Sequence, residues 1–303
     1  MKIITEIPHI FNPSVSEFMN EFVYPKKPVI ISGALGDWKA KDWTLKTLQE
    51  KLGNKEFLYR TEEGKKIAKF SDMINQIENS NAENPAPYLR NVNLLKNFPE
   101  LAADIFPNII YMDNNWRDHW AWPSDWPIHV TKNLVELFIS AKNVSFPKLH
   151  LDYWGMSGFI AQIHGSKEFI LYSPQDTPYL YPNPNEPLVS TIPDFTNPDF
   201  KKFPELAKAT QYRIQLGAGD LLYNPNWWHT TVTLETSITL IMAYWNSPNY
   251  PEFVDEIERV YKDCNKIKTY AMVQYFKGLG RVMAMGPSIT SMPQIDNLEH
   301  RKI

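Results

Sequence analysis

Residues 159–172 read FIAQIHGSKEFILY, and this stretch decides the fold class. Phe159 to Ile163 and Glu168 to Tyr172 are apolar runs of strand length, and Gly165-Ser166 between them is a turn signal. Runs of the same kind recur at Leu134 to Ile139, Tyr212 to Leu216, Asp220 to Tyr223 and Ser237 to Tyr244. Gly, Pro and Asn punctuate them. Many short strands separated by turn signals predict a β-sandwich or jelly roll.

On the N-terminal side the pattern is mixed. Lys27 to Gly33 predicts a short buried strand entering a turn. Residues 44–52 predict a helix with Leu45, Leu48 and Leu52 on one face and Thr44 as N-cap. Residues 57–60 predict a strand, 70–77 a helix capped by Ser71, and 88–93 a strand after the loop 79–87. Residues 116–126, WRDHWAWPSDW, hold four tryptophans, and Pro123 and Pro127 exclude one long helix there. That segment is either an aromatic lid or a satellite hydrophobic cluster. After Pro251 the period becomes helical: Phe253, Ile257, Val260 and Tyr261 share a face, and Thr269 to Met285 forms a second helix. The tail 286–303 reads as loosely ordered. Three regions are expected: a helix and strand region at 1–130, a mainly β core at 131–248, and a helical region at 249–303.

Composition narrows the classes. Cys264 is the single cysteine among 303 residues, which excludes an intramolecular disulfide framework and a Cys-rich zinc module. A net charge of −3 gives no general basic footprint for nucleic acid. No apolar run approaches the ~20 residues of a membrane span, and the N-terminus lacks the apolar core of a signal peptide. The expectation is a reduced, cytoplasmic protein without a membrane partner.

His150-Leu151-Asp152 lies between two strand-like runs. Residues two apart on extended chain point to the same side, so His150 and Asp152 can converge. His229, which ends GDLLYNPNWWH at 219–229, is the best third donor. Two imidazoles and one carboxylate on one face, with three positions left open, form the facial triad of non-haem Fe(II) oxygenases. A His-x-Asp pair alone is common on protein surfaces. His119 and His129 flank the tryptophan cluster and read as packing residues, and His9 and His300 lie near the termini.

The ordered set is more specific than any member. After His150-x-Asp152 come Gly165-Ser166-Lys167-Glu168-Phe169-Ile170-Leu171-Tyr172-Ser173-Pro174, then Tyr179-Leu180-Tyr181-Pro182, then GDLLYNPNWWH. With Pro87-Tyr88-Leu89-Arg90 and Asp194 to Phe200, this resembles the JmjC-type, cupin-like Fe(II)- and 2-oxoglutarate-dependent oxygenases, nearest in pattern to their asparaginyl hydroxylases. The resemblance implies a double-stranded β-helix (a jelly-roll core) with flanking helices. It implies His150, Asp152 and His229 as iron ligands, Lys167 and Tyr88 as contacts to 2-oxoglutarate, and O2 as the other co-substrate. Arg90, Trp228 and Asp194 would line a substrate groove. The implied activity is hydroxylation of an amino-acid side chain of a protein or peptide, with succinate and CO2 as co-products, by a homodimer joined through its C-terminal helices. Val273, Phe276, Leu279, Val282 and Met283 supply apolar surface for that contact.

The sequence also departs from the family pattern. Pro147 replaces a hydroxyl residue three before the first ligand, Ala243 replaces an asparagine on the last core strand, and another polar position falls near Ser157-Gly158. These changes put asparagine specificity in question. A tailoring oxygenase acting on a small molecule or biosynthetic peptide, and a non-catalytic metal-binding cupin, are the competing readings. Lysine demethylation has less support, because 303 residues leave no room for separate reader domains. A tRNA-base substrate has no support from the charge.

Overall fold

The computed structural model describes residues 1–61, 64–123 and 134–285. Its strands are β1 (Lys2–Ile4), β2 (His9–Phe11), β3 (Val29–Ser32), β4 (Glu56–Thr61), β5 (Gly64–Lys69), β6 (Leu89–Asn93), β7 (Val135–Ser140), β8 (Ser157–His164), β9 (Lys167–Tyr172), β10 (Pro182–Asn183), β11 (Glu186–Ser190), β12 (Thr210–Leu216), β13 (Asp220–Asn224), β14 (Trp228–Thr233) and β15 (Ser237–Tyr244). Its α-helices are α1 (Val15–Phe18), α2 (Leu45–Leu52), α3 (Phe70–Glu78), α4 (Leu94–Asn97), α5 (Tyr250–Tyr261) and α6 (Lys266–Met285).

Two sheets face each other. One has the strand order β2-β3-β13-β8-β15-β7-β6, the other β1-β12-β9-β14. Sequence neighbours β8 and β9 lie in different sheets, as a jelly roll requires. Gly165 makes that crossing possible: its φ is +65°, and a Cβ there would lie 2.2 Å from Thr236 O. Ile30, Ile160, Leu222 and Ile241 from the larger sheet meet Phe169, Leu171, Ile214 and Leu216 from the smaller one. Strand alternation turns the other residues outward. Leu137, Ile139, Phe159, Ala161 and Leu240 join the core beneath α2 and α3. Ile170, Tyr172 and Trp228 pack with Leu180, Phe195 and Phe203 on the far side of the smaller sheet.

The N-terminal residues are stitched into both sheets. β1 pairs in parallel with β12, β2 with β3, and β6 pairs antiparallel with β7. The expected boundary at 130/131 lies outside the described residues. Thr44 caps α2 in a capping box with Thr47. Ser71 does not cap α3; Lys69 holds that position, and the Ser71 hydroxyl donates to Asn54 Oδ1 at 3.1 Å.

Trp116 and Trp122 pack with Trp245 and with α5 and α6, the satellite-cluster alternative, while Trp120 is exposed. Trp126, His129, His300 and the tail 286–303 lie outside the described residues. No helix among the described residues is long and apolar enough to cross a membrane.

Candidate metal centre

The site begins with a backbone pairing. His150 lies in an extended segment before β8, and its N–H donates to His229 O at 3.0 Å. The His229 N–H returns a bond to His150 O at 2.8 Å. This is the reciprocally hydrogen-bonded pair of an antiparallel ladder, in which directly opposed side chains share a face. On its other side the segment bonds to β11, with Leu151 N–H donating to Leu188 O and Ser190 N–H to Leu149 O. The two imidazole centroids are 4.3 Å apart. Asp152 follows two residues on, and its Oδ1 lies 3.9 Å from His150 Nε2 and 4.0 Å from His229 Nε2. One donor atom from each of the three residues fits within 4.8 Å.

Each imidazole presents Nε2 to this centre because Nδ1 is engaged. His150 Nδ1 donates to Lys148 O at 3.2 Å, and His229 Nδ1 lies between Trp227 O at 3.0 Å and Asn224 Nδ2 at 3.1 Å. A carbonyl on one ring nitrogen fixes the tautomer that leaves a lone pair on the other. Burial, and then the neighbouring His229, push the His150 imidazole down to about 3, so it is neutral and ready to coordinate. Burial raises the Asp152 carboxyl, and His229 opposes that rise. A divalent cation at the centre would reverse the effect on Asp152. Two imidazoles and one carboxylate, aimed at a common point, fit Fe(II) or a similar ion.

A polar track leads away from the centre along the inner face. Thr231 follows His229 by two residues on β14, and its Oγ1 lies 3.5 Å from Tyr88 OH. Lys167 Nζ donates to that phenol oxygen at 2.7 Å. Lys167 is 2% exposed and makes no ion pair with an acidic side chain among the described residues. A buried ammonium without a carboxylate partner calls for an anion. Its position on β9 is four residues back from Leu171, which is opposite His229. That spacing is about 13 Å of strand. Phe138 and Phe146 pack edge-on against Tyr88, and Phe146 stacks on His150 with ring centroids 4.8 Å apart.

The three groove residues fall in different places. The Arg90 guanidinium sits over Phe146, 5.3 Å from its centroid, with His150 stacked on the same ring. Trp228 is turned away. Alternation on β14 sends it into the outer cluster, fully buried, with Nε1 donating to Thr177 Oγ1, while His229 next to it faces inward. Asp194 is exposed, and its carboxylate is engaged in its own loop by Thr196 and Asn197, which hold its pKa low. It lines a small cleft with Phe146, Pro147 and Thr230.

Two neighbours of the metal donors had no signal of their own in the sequence. Asn224 Oδ1 accepts from Trp227 N–H at 3.0 Å and so shapes the turn before His229. Asn226 Oδ1 accepts the Asp152 N–H at 3.0 Å. Their place inside GDLLYNPNWWH was the available clue. Ala243 pairs with Gly158, and a Cβ on Gly158 would stand 3.8 Å from Asp152 Oδ2, so the floor beside the carboxylate is built of small residues. His119 is buried in the tryptophan cluster, where its Nδ1 accepts from Ala121 N–H at 3.1 Å. A cavity of about 610 Å³ lies elsewhere, between Gly33, Trp38 and residues 106–111, and none of the triad lines it.

The chain is similar to known proteins over most of its length. Residues 15–251 match the model of the cupin-like domain family. The chain is 31% identical over 256 residues to lysine-specific demethylase 8 of Danio rerio, covering 79% of the chain and 58% of that protein. It is 28% identical over 274 residues to tRNA wybutosine-synthesizing protein 5 of Gallus gallus, covering 80% and 78%. It is 27% identical over 243 residues to HSPB1-associated protein 1 of Bos taurus, covering 73% and 48%. The chain therefore spans about half the length of the first and third of these relatives. With the two facing sheets, the inward His-Asp-His set and a match over most of its length, the chain belongs to the cupin-like, JmjC-type family, whose members use Fe(II) and 2-oxoglutarate.

Proposed function

We propose that the protein is an Fe(II)- and 2-oxoglutarate-dependent dioxygenase that hydroxylates an amino-acid side chain of a protein or peptide. The observation that carries this reading is the pairing of two features: the convergent donors of His150, Asp152 and His229, and the buried, acid-free ammonium of Lys167, four residues along β9 from the partner of His229. His150, Asp152 and His229 would hold the metal, and Lys167 with Tyr88 the distal carboxylate of 2-oxoglutarate. Bound there, Fe(II) would supply the oxidising chemistry that splits O2 between 2-oxoglutarate and the substrate.

The chain's own residues do the rest. Lys148 O keeps the His150 imidazole in the coordinating tautomer, and Trp227 O with the Asn224 amide holds the His229 ring in place. The Lys167 bond leaves the Tyr88 proton free to point at an acceptor in the track. Phe146, Phe169, Leu171 and Ile241 line the interior with apolar surface that keeps bulk water from the centre. Arg90, over Phe146, is the polar group best placed to meet a substrate beside His150.

The relatives support two macromolecular substrate classes. One is named a lysine-specific demethylase and another a tRNA wybutosine-synthesizing protein. The net charge of −3 favours a protein or peptide over tRNA. Mass spectrometry of protein and tRNA fractions, incubated with and without the enzyme, tests this. A gain of one oxygen on a side chain is expected. Oxygen gained only on tRNA would transfer the reading to the nucleic-acid class.

The C-terminal helices support a homodimer, with a corrected interface. Val273, Phe276, Leu279 and Met283, expected to face a partner, are buried against α5 in their own chain. Ile267, Tyr270, Tyr275, Val282 and Met285 are the exposed large residues of α6. A helix apolar on both faces is covered on both, and a second copy meeting α6 through Val282 would cover the outer one.

A further inference from the structure

Asp152 differs from the two histidines in how its donor atom is held. Each imidazole is tied to a carbonyl, but the Asp152 carboxylate accepts no hydrogen bond among the described residues. Its direction is set by the chain on either side. Upstream, its N–H is fixed to Asn226. Downstream runs the turn Tyr153–Gly155, in which Trp154 has φ +63° and ψ +25° and Gly155 has φ +60°. Two consecutive left-handed residues, one of them a tryptophan, persist only where the surroundings over-determine them.

Those surroundings come from the end of β15 and the start of α5. Trp245 Nε1 donates to Trp154 O at 2.9 Å. Asn249 Nδ2 lies within bonding distance of Gly155 O, Ser157 Oγ and Tyr244 O, at 3.2, 3.0 and 2.9 Å. Its Oδ1 accepts from Asn246 N–H at 2.7 Å, so the amide is locked at both ends. Asn249 is 7% exposed. Gly155 lies directly on α5: a Cβ there would stand 2.6 Å from Glu252 Cβ and 3.0 Å from Phe253 N.

We infer that Asn249 is a positioning residue of the metal centre: with the first turn of α5 it fixes the turn that aims the Asp152 carboxylate at the histidine pair. The inference rests on the reading of the triad as a metal site. It makes the helical region after the jelly roll part of the support of the centre.

Titration of the full chain with Co(II), read by its visible absorption bands, tests it. Asn249→Ala should weaken Co(II) binding about 10–100-fold and alter the bands, with the far-ultraviolet circular dichroism retained. Gly155→Ala should act in the same direction, and it carries the test alone if Asn249→Ala does not fold. Phe276→Leu, which loosens α6 on α5 without touching the turn, should lower Tm and leave Co(II) affinity unchanged. Folded Asn249→Ala or Gly155→Ala with parental affinity and bands would overturn the inference, as would a loss in Phe276→Leu in proportion to its Tm. Asp152→Ala separates the two levels. Parental Co(II) binding in that variant overturns the metal site and the inference together. Its loss there, beside parental binding in Asn249→Ala, overturns the inference alone.

Discussion

His150 and His229 are directly opposed across an antiparallel pair, each donating its backbone N–H to the other's carbonyl, at 3.0 and 2.8 Å. The 78 residues of sequence between them collapse to one ladder rung, and the ring separation is set by the sheet rather than by side-chain packing. A donor pair fixed by backbone bonds is rigid before any ion arrives, which lowers the cost of ordering it on binding.

Removal of one member should therefore empty the site without unfolding the chain. The parent should take up one divalent ion per chain, and His229→Ala should lose turnover while keeping its circular dichroism. Isothermal titration and elemental analysis read the stoichiometry. Full turnover in His229→Ala would remove His229 from the triad.

Lys167→Ala should weaken 2-oxoglutarate by ~1.5–3 kcal/mol, the range for a hydrogen bond to a charged group. Tyr88→Phe should cost about 0.5–1.5 kcal/mol, as a neutral hydrogen bond does. Calorimetry with 2-oxoglutarate on the metal-loaded protein measures both. Unchanged affinity in Lys167→Ala would detach the ammonium from the co-substrate.

The N-terminal core carries a pH-dependent contact. Burial alone would raise the Asp104 carboxyl, but bonds from Lys51 and from Trp43 Nε1 outweigh it and hold the pKa below 3.8. A depressed folded value means the contribution is present above the unfolded pKa and is lost as pH falls through the folded one. Asp104→Ala leaves the buried Trp43 indole N–H without that acceptor and should cost about 1–3 kcal/mol at neutral pH. In urea melts the gap between variant and parent should narrow as pH falls from 3.8 through the lower folded value, since protonation removes the Lys51 attraction while the neutral carboxyl still accepts from Trp43. A gap that widens on acidification would contradict the sign.

If α6 meets a second copy through its outer face, Val282→Arg should return the mass to near 35.3 kDa while the parent scatters at about twice that. Leu279→Arg should instead destabilise the single chain, since Leu279 is 8% exposed in its own core. A parent that scatters as a monomer at micromolar concentration would end the dimer.

Much of the fold was legible because most core strands are apolar on both faces. β8, β9 and β15 read as strands from their runs alone, and α2 announced itself through Thr44 and the Leu45, Leu48, Leu52 stripe. β14 did not. Its WHTTVT run buries three threonines, Thr230, Thr231 and Thr233, and polar residues in a buried strand mask the alternation. That loss mattered, because alternation on β14 is what turns His229 inward and Trp228 outward. β1 and β2 are three-residue strands added at sheet edges, too short for any period to show. The donor triad could be read from residue type and order. The carbonyls beside the two histidines are local, each two residues back, but a backbone group leaves no mark in residue type. The Asn249 clamp on the third arm depends on distant chain meeting, which residue spacing does not encode.

Use of 2-oxoglutarate and O2 at the His150, Asp152 and His229 centre can be measured without knowing the substrate's identity. Incubation with Fe(II), 2-oxoglutarate and isotopically labelled dioxygen, followed by mass spectrometry of the succinate formed, tests it most directly. One labelled oxygen atom should enter each succinate, and the signal should vanish in Asp152→Ala. Unconsumed 2-oxoglutarate in the parent across protein, peptide and tRNA substrates, or equal labelling in Asp152→Ala, would mean that this centre does not turn over 2-oxoglutarate.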